Sequence, residues 1–265
     1  MKSAETLLAC CVVGLACFIG GQTFATRRAP VHAEAAGAID LRAPRPVVLI
    51  DRSARHLEET LVNDALLVRS ERPTLSPADM RRRISNGIEG TYVRELLLAR
   101  DSAIARWPDR TTRPLRVFVG ESEQLTGWNN DYLPAVRDAF DTWVQAGIPV
   151  RFVFVVDSAS ADVHVRFIDR FPNGISGKTV WSRDINYWLV TSDIQLAISH
   201  PGGGTVTAPQ MRAIALHEVG HLLGLDHSSD PDNIMSARVR VRELSEIDRA
   251  SVRLLYSVPA GSLRN

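Results

Sequence analysis

Three histidines and a glutamate inside one eleven-residue stretch, HEVGHLLGLDH from 217 to 227, are the side chains whose types and spacing could do chemistry together. His217 and His221, four apart, project from one face of a helix a turn apart, the separation at which two imidazoles reach one tetrahedral zinc ion at about 2.0–2.1 Å. Glu218 lies about 100° around the same helix, near enough to meet a water on the metal without being a ligand. Gly224 can end the helix in a left-handed conformation without a Cβ penalty, turning the chain so that His227 comes back toward the same ion. Three neutral nitrogen ligands leave a fourth position for water, which is the catalytic rather than the structural arrangement of zinc. At average residue usage, five such fixed positions coincide by chance with a probability on the order of 10⁻⁸ per start site. The remaining histidines, His32, His56, His164 and His200, stand alone and read as ordinary surface or packing residues.

Those side chains need a helix to hold them, and residues 207–224 specify one. Thr207 and Gln210 form a capping-box pair, and Met211, Ile214, Ala215, Val219, Leu222 and Leu223 supply a buried stripe. Before it, the pattern alternates between strands and helices from Pro114 on. Strands are expected at 115–119, 150–156, 161–168, 178–182 and 188–198, and a helix at 131–146 with Val136, Ala139, Phe140 and Trp143 at helical spacing. Three helical patterns precede these, at 53–68, from Ser76-Pro77 onward, and at 92–107. The expected fold is α+β, a twisted mixed sheet packed on helices.

Composition narrows the class further. The chain has 265 residues, a net charge of +1, 45% apolar residues and three cysteines, which excludes a disordered tail, a nucleic-acid-binding surface and a disulfide scaffold. Lys2 precedes an apolar run at 7–21, the length of a signal-peptide core and short for a membrane span. Cleavage after Ala25 would release an exported chain, secreted or periplasmic. Arg27 and Arg28 would instead flank an uncleaved anchor, and Cys17 leaves a lipid anchor as a third route to a membrane tether. Cys10, Cys11 and Cys17 all lie in this leader, so the remainder has no thiol.

The stretch 217–227 resembles the extended zinc motif of the metzincin metallopeptidases, and among them is most similar to the matrixins. Ser228 follows the third histidine, Asn233-Ile234-Met235 falls where the Met-turn lies, and Leu244-Ser245, Asp248 and Leu255-Tyr256 resemble the C-terminal helix. The resemblance covers roughly residues 115–256. It implies a metzincin-type domain with an active-site helix, a second long helix and a C-terminal helix after the Met-turn. It implies His217, His221 and His227 as ligands of one catalytic zinc and Glu218 as general base in peptide-bond hydrolysis. Met235 would be the floor beneath the metal, with Gly224 and Asp248 as structural support. Ser236 and Ala237 replace the family's usual Tyr-Pro after the methionine, which leaves open the wall of the pocket for the residue after the cut. No His-x-Asp pattern for a second zinc lies between Phe167 and Trp188, and calcium is not indicated. Ile247 stands where an additional aspartate often pairs with a freed N-terminus.

The expected organisation is a leader or anchor at 1–25, a Pro/Ala-rich linker at 26–46, and a helical region at 47–112 that is either a pro-segment or packing helices. A catalytic-type domain follows at 113–258, then a tail at 259–265. Asp51, Asp79 and Asp109 are candidate zinc-blocking groups for a pro-segment. The expected activity is that of an exported, monomeric zinc endopeptidase on protein or peptide substrates, with no nucleic-acid partner. The alternatives are a zinc-stabilised non-catalytic surface-binding module, disfavoured by Glu218, and a processing peptidase dedicated to one exported partner.

Overall fold

The computed structural model describes residues 75–264. The leader, the linker, the helix expected at 53–68 and Asp51 lie outside the described residues. Among those described, no helix is long and apolar enough to cross a membrane.

The N-terminal helix α1 (Pro77–Gly87) starts as its sequence dictates: Ser76 accepts from the Asp79 amide, and proline occupies the first turn. Helix α2 (Val93–Ala99) is shorter than the 92–107 expected from apolar spacing. Asp101 and Ser102 both take positive φ, 54° and 60°, and the Ser102 amide donates to the Leu97 carbonyl at 2.8 Å, which closes the helix. Two non-glycine residues in the left-handed region are not a stop signal that spacing shows. The freed chain forms β1 (Ala103–Ile104), which pairs antiparallel with β7 (Gly261–Ser262) near the end of the chain.

A five-stranded sheet carries the rest, in the order β3-β2-β4-β6-β5. Strands β2 (Arg110–Val119), β3 (Val150–Val155), β4 (Val163–Ile168) and β6 (Leu189–Ala197) run parallel to their neighbours in this set, and β5 (Gly177–Arg183) closes one edge antiparallel to β6. The period-two pattern decides which face is buried: Val163, Val165 and Phe167 of β4 face the core, while Arg166 is exposed.

Helix α3 (Tyr132–Val144) packs on β3 through edge-on contacts of Phe140 with Phe152 and Phe154, at ring separations of 4.8 and 5.7 Å. Its Trp143, wholly buried, donates its indole N–H to the Leu216 carbonyl at 2.8 Å and so ties α3 to helix α4 (Ala208–Leu222). Helix α4 packs also on β5 and β6, and helix α5 (Glu246–Tyr256) contacts α1 and α2. The helix that must carry the histidines is thereby enclosed, which rigidifies it and strips water from its side chains.

Candidate metal centre

Helix α4 opens with the capping box anticipated for it: the Thr207 amide donates to Gln210 Oε1 at 2.8 Å, and the Gln210 amide to Thr207 Oγ1 at 3.4 Å. Its far end breaks at Gly224, where φ is +96°. A Cβ there would stand 2.2 Å from the Ala105 carbonyl oxygen, so both backbone conformation and space demand glycine. The carbonyls that a helix leaves without intrahelical partners at its C-terminus are taken by side chains from distant elements. Trp107 Nε1 donates to Leu222 O at 2.8 Å, Tyr256 to Leu223 O at 3.1 Å, and Arg100 to Gly224 O and Leu225 O at 2.7 and 3.0 Å.

The turn at Gly224 brings the three histidines together. His221 Nε2 lies 3.0 Å from His217 Nε2 and 3.3 Å from His227 Nε2, and these three residues are the group of potential metal ligands found among the described residues. His217 Nδ1 faces the Ile234 carbonyl at 2.7 Å and His221 Nδ1 the Leu225 carbonyl at 3.1 Å. A carbonyl can only accept, so each Nδ1 carries the hydrogen and each Nε2 turns a lone pair inward. Burial holds His217 down at about 4, with the neighbouring His227 acting in the same direction and the bond to Ile234 opposing; His221 is lowered well below its usual value, again by burial first. His227 is lowered too, by desolvation. Neutral rings with converging lone pairs repel unless a cation lies among them, so this donor set fits a zinc ion.

Glu218 is 3% exposed and points into the same cleft. Thr179 of β5 donates its hydroxyl to Glu218 Oε2 at 2.6 Å, while the opposite side of the carboxyl rests on Gly177, where a Cβ would stand 2.4 Å from Oε1 and 2.7 Å from Cγ. Burial pushes the carboxyl up to about 8 and the Thr179 hydroxyl pulls it back. Alternate residues of β5 therefore face the metal helix: Gly177 and Thr179 against Glu218, then Trp181 beneath the Arg100 guanidinium at 5.4 Å. If this cleft hydrolyses peptides, Gly177→Ala is expected to displace the carboxyl and lower turnover at least tenfold with metal content retained, readable as kcat/KM beside bound zinc per chain.

Met235 is wholly buried on the turn of α4 between the first two histidines, since a Cβ on Gly220 would stand 2.2 Å from its sulfur. The turn that presents it is held from three sides. The Ile234 amide donates to Asp248 Oδ2 at 2.9 Å, Asn233 Nδ2 donates to Ser228 Oγ at 2.8 Å, and the Ser245 hydroxyl donates to Asn233 Oδ1 at 2.7 Å. Asp248 is also reached by the Tyr92 hydroxyl at 3.2 Å. One residue, Ile234, thus takes its place from Asp248 and gives His217 its tautomer. Asp79 and Asp109 do not join the histidines: Asp79 accepts from Ser76 and Arg82 at the start of α1, and Asp109 from the Thr111 amide.

Sequence reasoning placed His217, Glu218, His221, Gly224, His227, Met235 and Asp248, and the fold brings all seven into one region. It missed Arg100, Thr179 and Gly177. A glycine at the start of a strand signals close approach by another group, and that hint marks Gly177; nothing local marks Arg100.

Comparison with known proteins agrees with this geometry. The family model described as matrixin matches residues 170–257. The chain is 25% identical to Metalloendoproteinase 1 of Glycine max over 173 residues, covering 58% of this chain and 53% of that protein. It is 30% identical to Metalloendoproteinase 1-MMP of Arabidopsis thaliana over 148 residues, 48% and 38% of the two chains. To Matrix metalloproteinase-15 of Homo sapiens it is 25% identical over 166 residues, 51% and 23%. The chain spans about half the length of these relatives or less. The family match takes in the metal helix, the Met-turn and the C-terminal helix, and with the α+β sheet that supports them it marks this part of the chain as matrixin-like, consistent with a metzincin fold.

Proposed function

We propose that this protein is an exported zinc-dependent endopeptidase acting on proteins or peptides. The observation that carries the reading is the meeting, in one cleft, of three inward-facing imidazole nitrogens and a buried carboxyl that is not one of the metal ligands. His217, His221 and His227 would hold zinc. Bound there, the ion supplies Lewis acidity that polarises a carbonyl and makes water acidic near neutral pH. The chain supplies the proton traffic: Glu218, its Oε2 fixed by Thr179, accepts a proton at Oε1 and returns it to the departing amine.

Strand β5 supplies the substrate track. Its second edge pairs with no strand among the described residues, and it runs past Glu218, so an extended peptide can add to it as a further strand. Antiparallel addition, the more stable pairing, lays the C-terminal half of the peptide over the Gly177 end of β5. A cavity of about 540 Å³ opens there between β5 and α4.

We also propose that residues 75–112 are a built-in part of this domain rather than a removable inhibitor. Tyr92, Arg100 and Trp107 all support the metal helix or its turn. The test of the activity is cleavage of a broad unstructured peptide library by the chain from Thr26 onward, beside a chelated sample. Cuts that disappear on chelation and return with zinc are expected. Zinc binding without any cut would overturn the peptidase reading in favour of a binding module.

A further inference from the structure

The cavity beside Glu218 has one wall made by the segment that leaves the Met-turn, Ala237-Arg238-Val239-Arg240-Val241-Arg242. Its residues alternate in character. Val239 and Val241 are half-buried and pack on the core, while Arg238, Arg240 and Arg242 are exposed along the cavity mouth. Arg212 fastens the segment to α4 by donating to the Arg242 carbonyl at 2.6 Å, and the same guanidinium takes both carboxylate oxygens of Glu243 at 3.0 and 3.2 Å. The nearest acid in the segment is thus already engaged. Among the described residues no carboxylate pairs with Arg238, Arg240 or Arg242, and Glu218, buried against Thr179, is the sole carboxyl group that lines the cavity.

We infer that this wall selects substrates that carry acidic residues immediately C-terminal to the cut. The inference rests on the peptidase reading above and gives it a substrate class. Three cations at every second residue extend over no more than about 14 Å, a span covered by about four residues of extended peptide. The apolar interior, with Ile214, Ala213 and the two valines, takes an uncharged side chain or the stem of a glutamate. The rim then meets carboxylates that find no competing acid. Because the guanidiniums are exposed, the attraction is of the screened kind that salt weakens.

The test uses three fluorogenic peptides with one common N-terminal half and, in the positions after the cut, acidic, neutral or basic residues. For the unaltered protein at low salt, kcat/KM is expected to be about tenfold higher for the acidic peptide than for the neutral one. The basic peptide should be lower still, and the acidic advantage should shrink as salt rises from about 0.05 to about 0.5 M. In Arg238→Gln/Arg240→Gln/Arg242→Gln the ratio of acidic to neutral should fall to near one; Arg240→Gln alone should fall part-way. Equal rates on all three peptides, or a ratio unmoved by the substitutions, would overturn the inference while leaving the peptidase reading intact. Binding of the same labelled peptides to Glu218→Ala, followed by anisotropy, separates the two. No cleavage of any peptide but tighter acidic binding would retain the basic subsite and remove the peptidase reading. No cleavage and no acidic preference would remove both.

Discussion

Glu218→Gln is expected to lower kcat/KM on an unstructured peptide by about 10²–10⁴-fold, the range in which positioned general acid–base groups contribute. Zinc content should stay unchanged. The side chain is not a metal ligand, and its surroundings are built around its shape: Gly177 leaves room for it and Thr179 donates to Oε2. Glutamine fits that space and its amide oxygen can still accept the Thr179 hydroxyl, so neither the helix nor the histidines need move. What it cannot do is take up a proton and give it back. The measurement is single-turnover cleavage by parent and variant, each titrated to full metal occupancy. A loss under tenfold would show that the carboxyl is not the proton carrier, and a loss that tracks missing zinc would show that it is needed to assemble the site instead.

The residues that spacing alone found share a physical origin, since their relationships are local, whereas Met235 and Asp248 were reached only through the resemblance. His217 and His221 are one helical turn apart, Gly224 ends that turn, and Thr207 with Gln210 starts it, so periodicity and capping suffice to place them. The strands were legible for the same reason, because alternation as in Val163, Val165 and Phe167 reports a half-buried sheet surface. The missed features depend on where separate elements meet. Thr179 reaches Glu218 across 39 residues, and Arg100 reaches Gly224 across 124. Neither Thr nor Arg has a side chain that announces such a partner. The end of α2 was hidden because Asp101 and Ser102 adopt a backbone conformation that glycine usually marks, and the pairing of β1 with β7 joins two short stretches too brief to carry a period. The basic wall, a run of alternating valine and arginine, drew no reading from the sequence because only the fold gives it a cavity to line.

Arg100→Ala is expected to weaken zinc binding by about 10–100-fold, the range typical for groups that hold metal ligands in place. Arg100 is 5% exposed and belongs to the segment before the sheet, yet its fork grips the whole turn between the second and third histidines. One nitrogen donates to Gly224 O at 2.7 Å and another to Leu225 O at 3.0 Å; Nε pairs with Asp226 Oδ2 at 3.1 Å. Two of these acceptors lead directly to ligands. Leu225 O is the group that fixes the His221 tautomer, and Asp226 Oδ1 accepts the His227 amide at 2.8 Å. Alanine would take the Arg100 donor from the Gly224 carbonyl, strip one of two donors from Leu225 O, and leave the Asp226 carboxylate without its cation, on the order of 3–5 kcal/mol of destabilisation, concentrated on the loop that must close around the ion. Arg100→Lys keeps the charge but cannot reach three acceptors at once, so it should recover stability more than it recovers zinc affinity. Competition with a chelator of known affinity, on samples shown to be folded, reads the metal; the visible absorption of the cobalt-substituted protein reads the geometry of the ligands. Unchanged zinc affinity and an unchanged cobalt spectrum in a variant that merely melts earlier would assign Arg100 to the fold alone. A shifted spectrum with weakened affinity would make this arginine the brace through which residues 75–112 hold the metal centre, and would predict that trimming the chain to Pro114 destroys the site rather than releasing it.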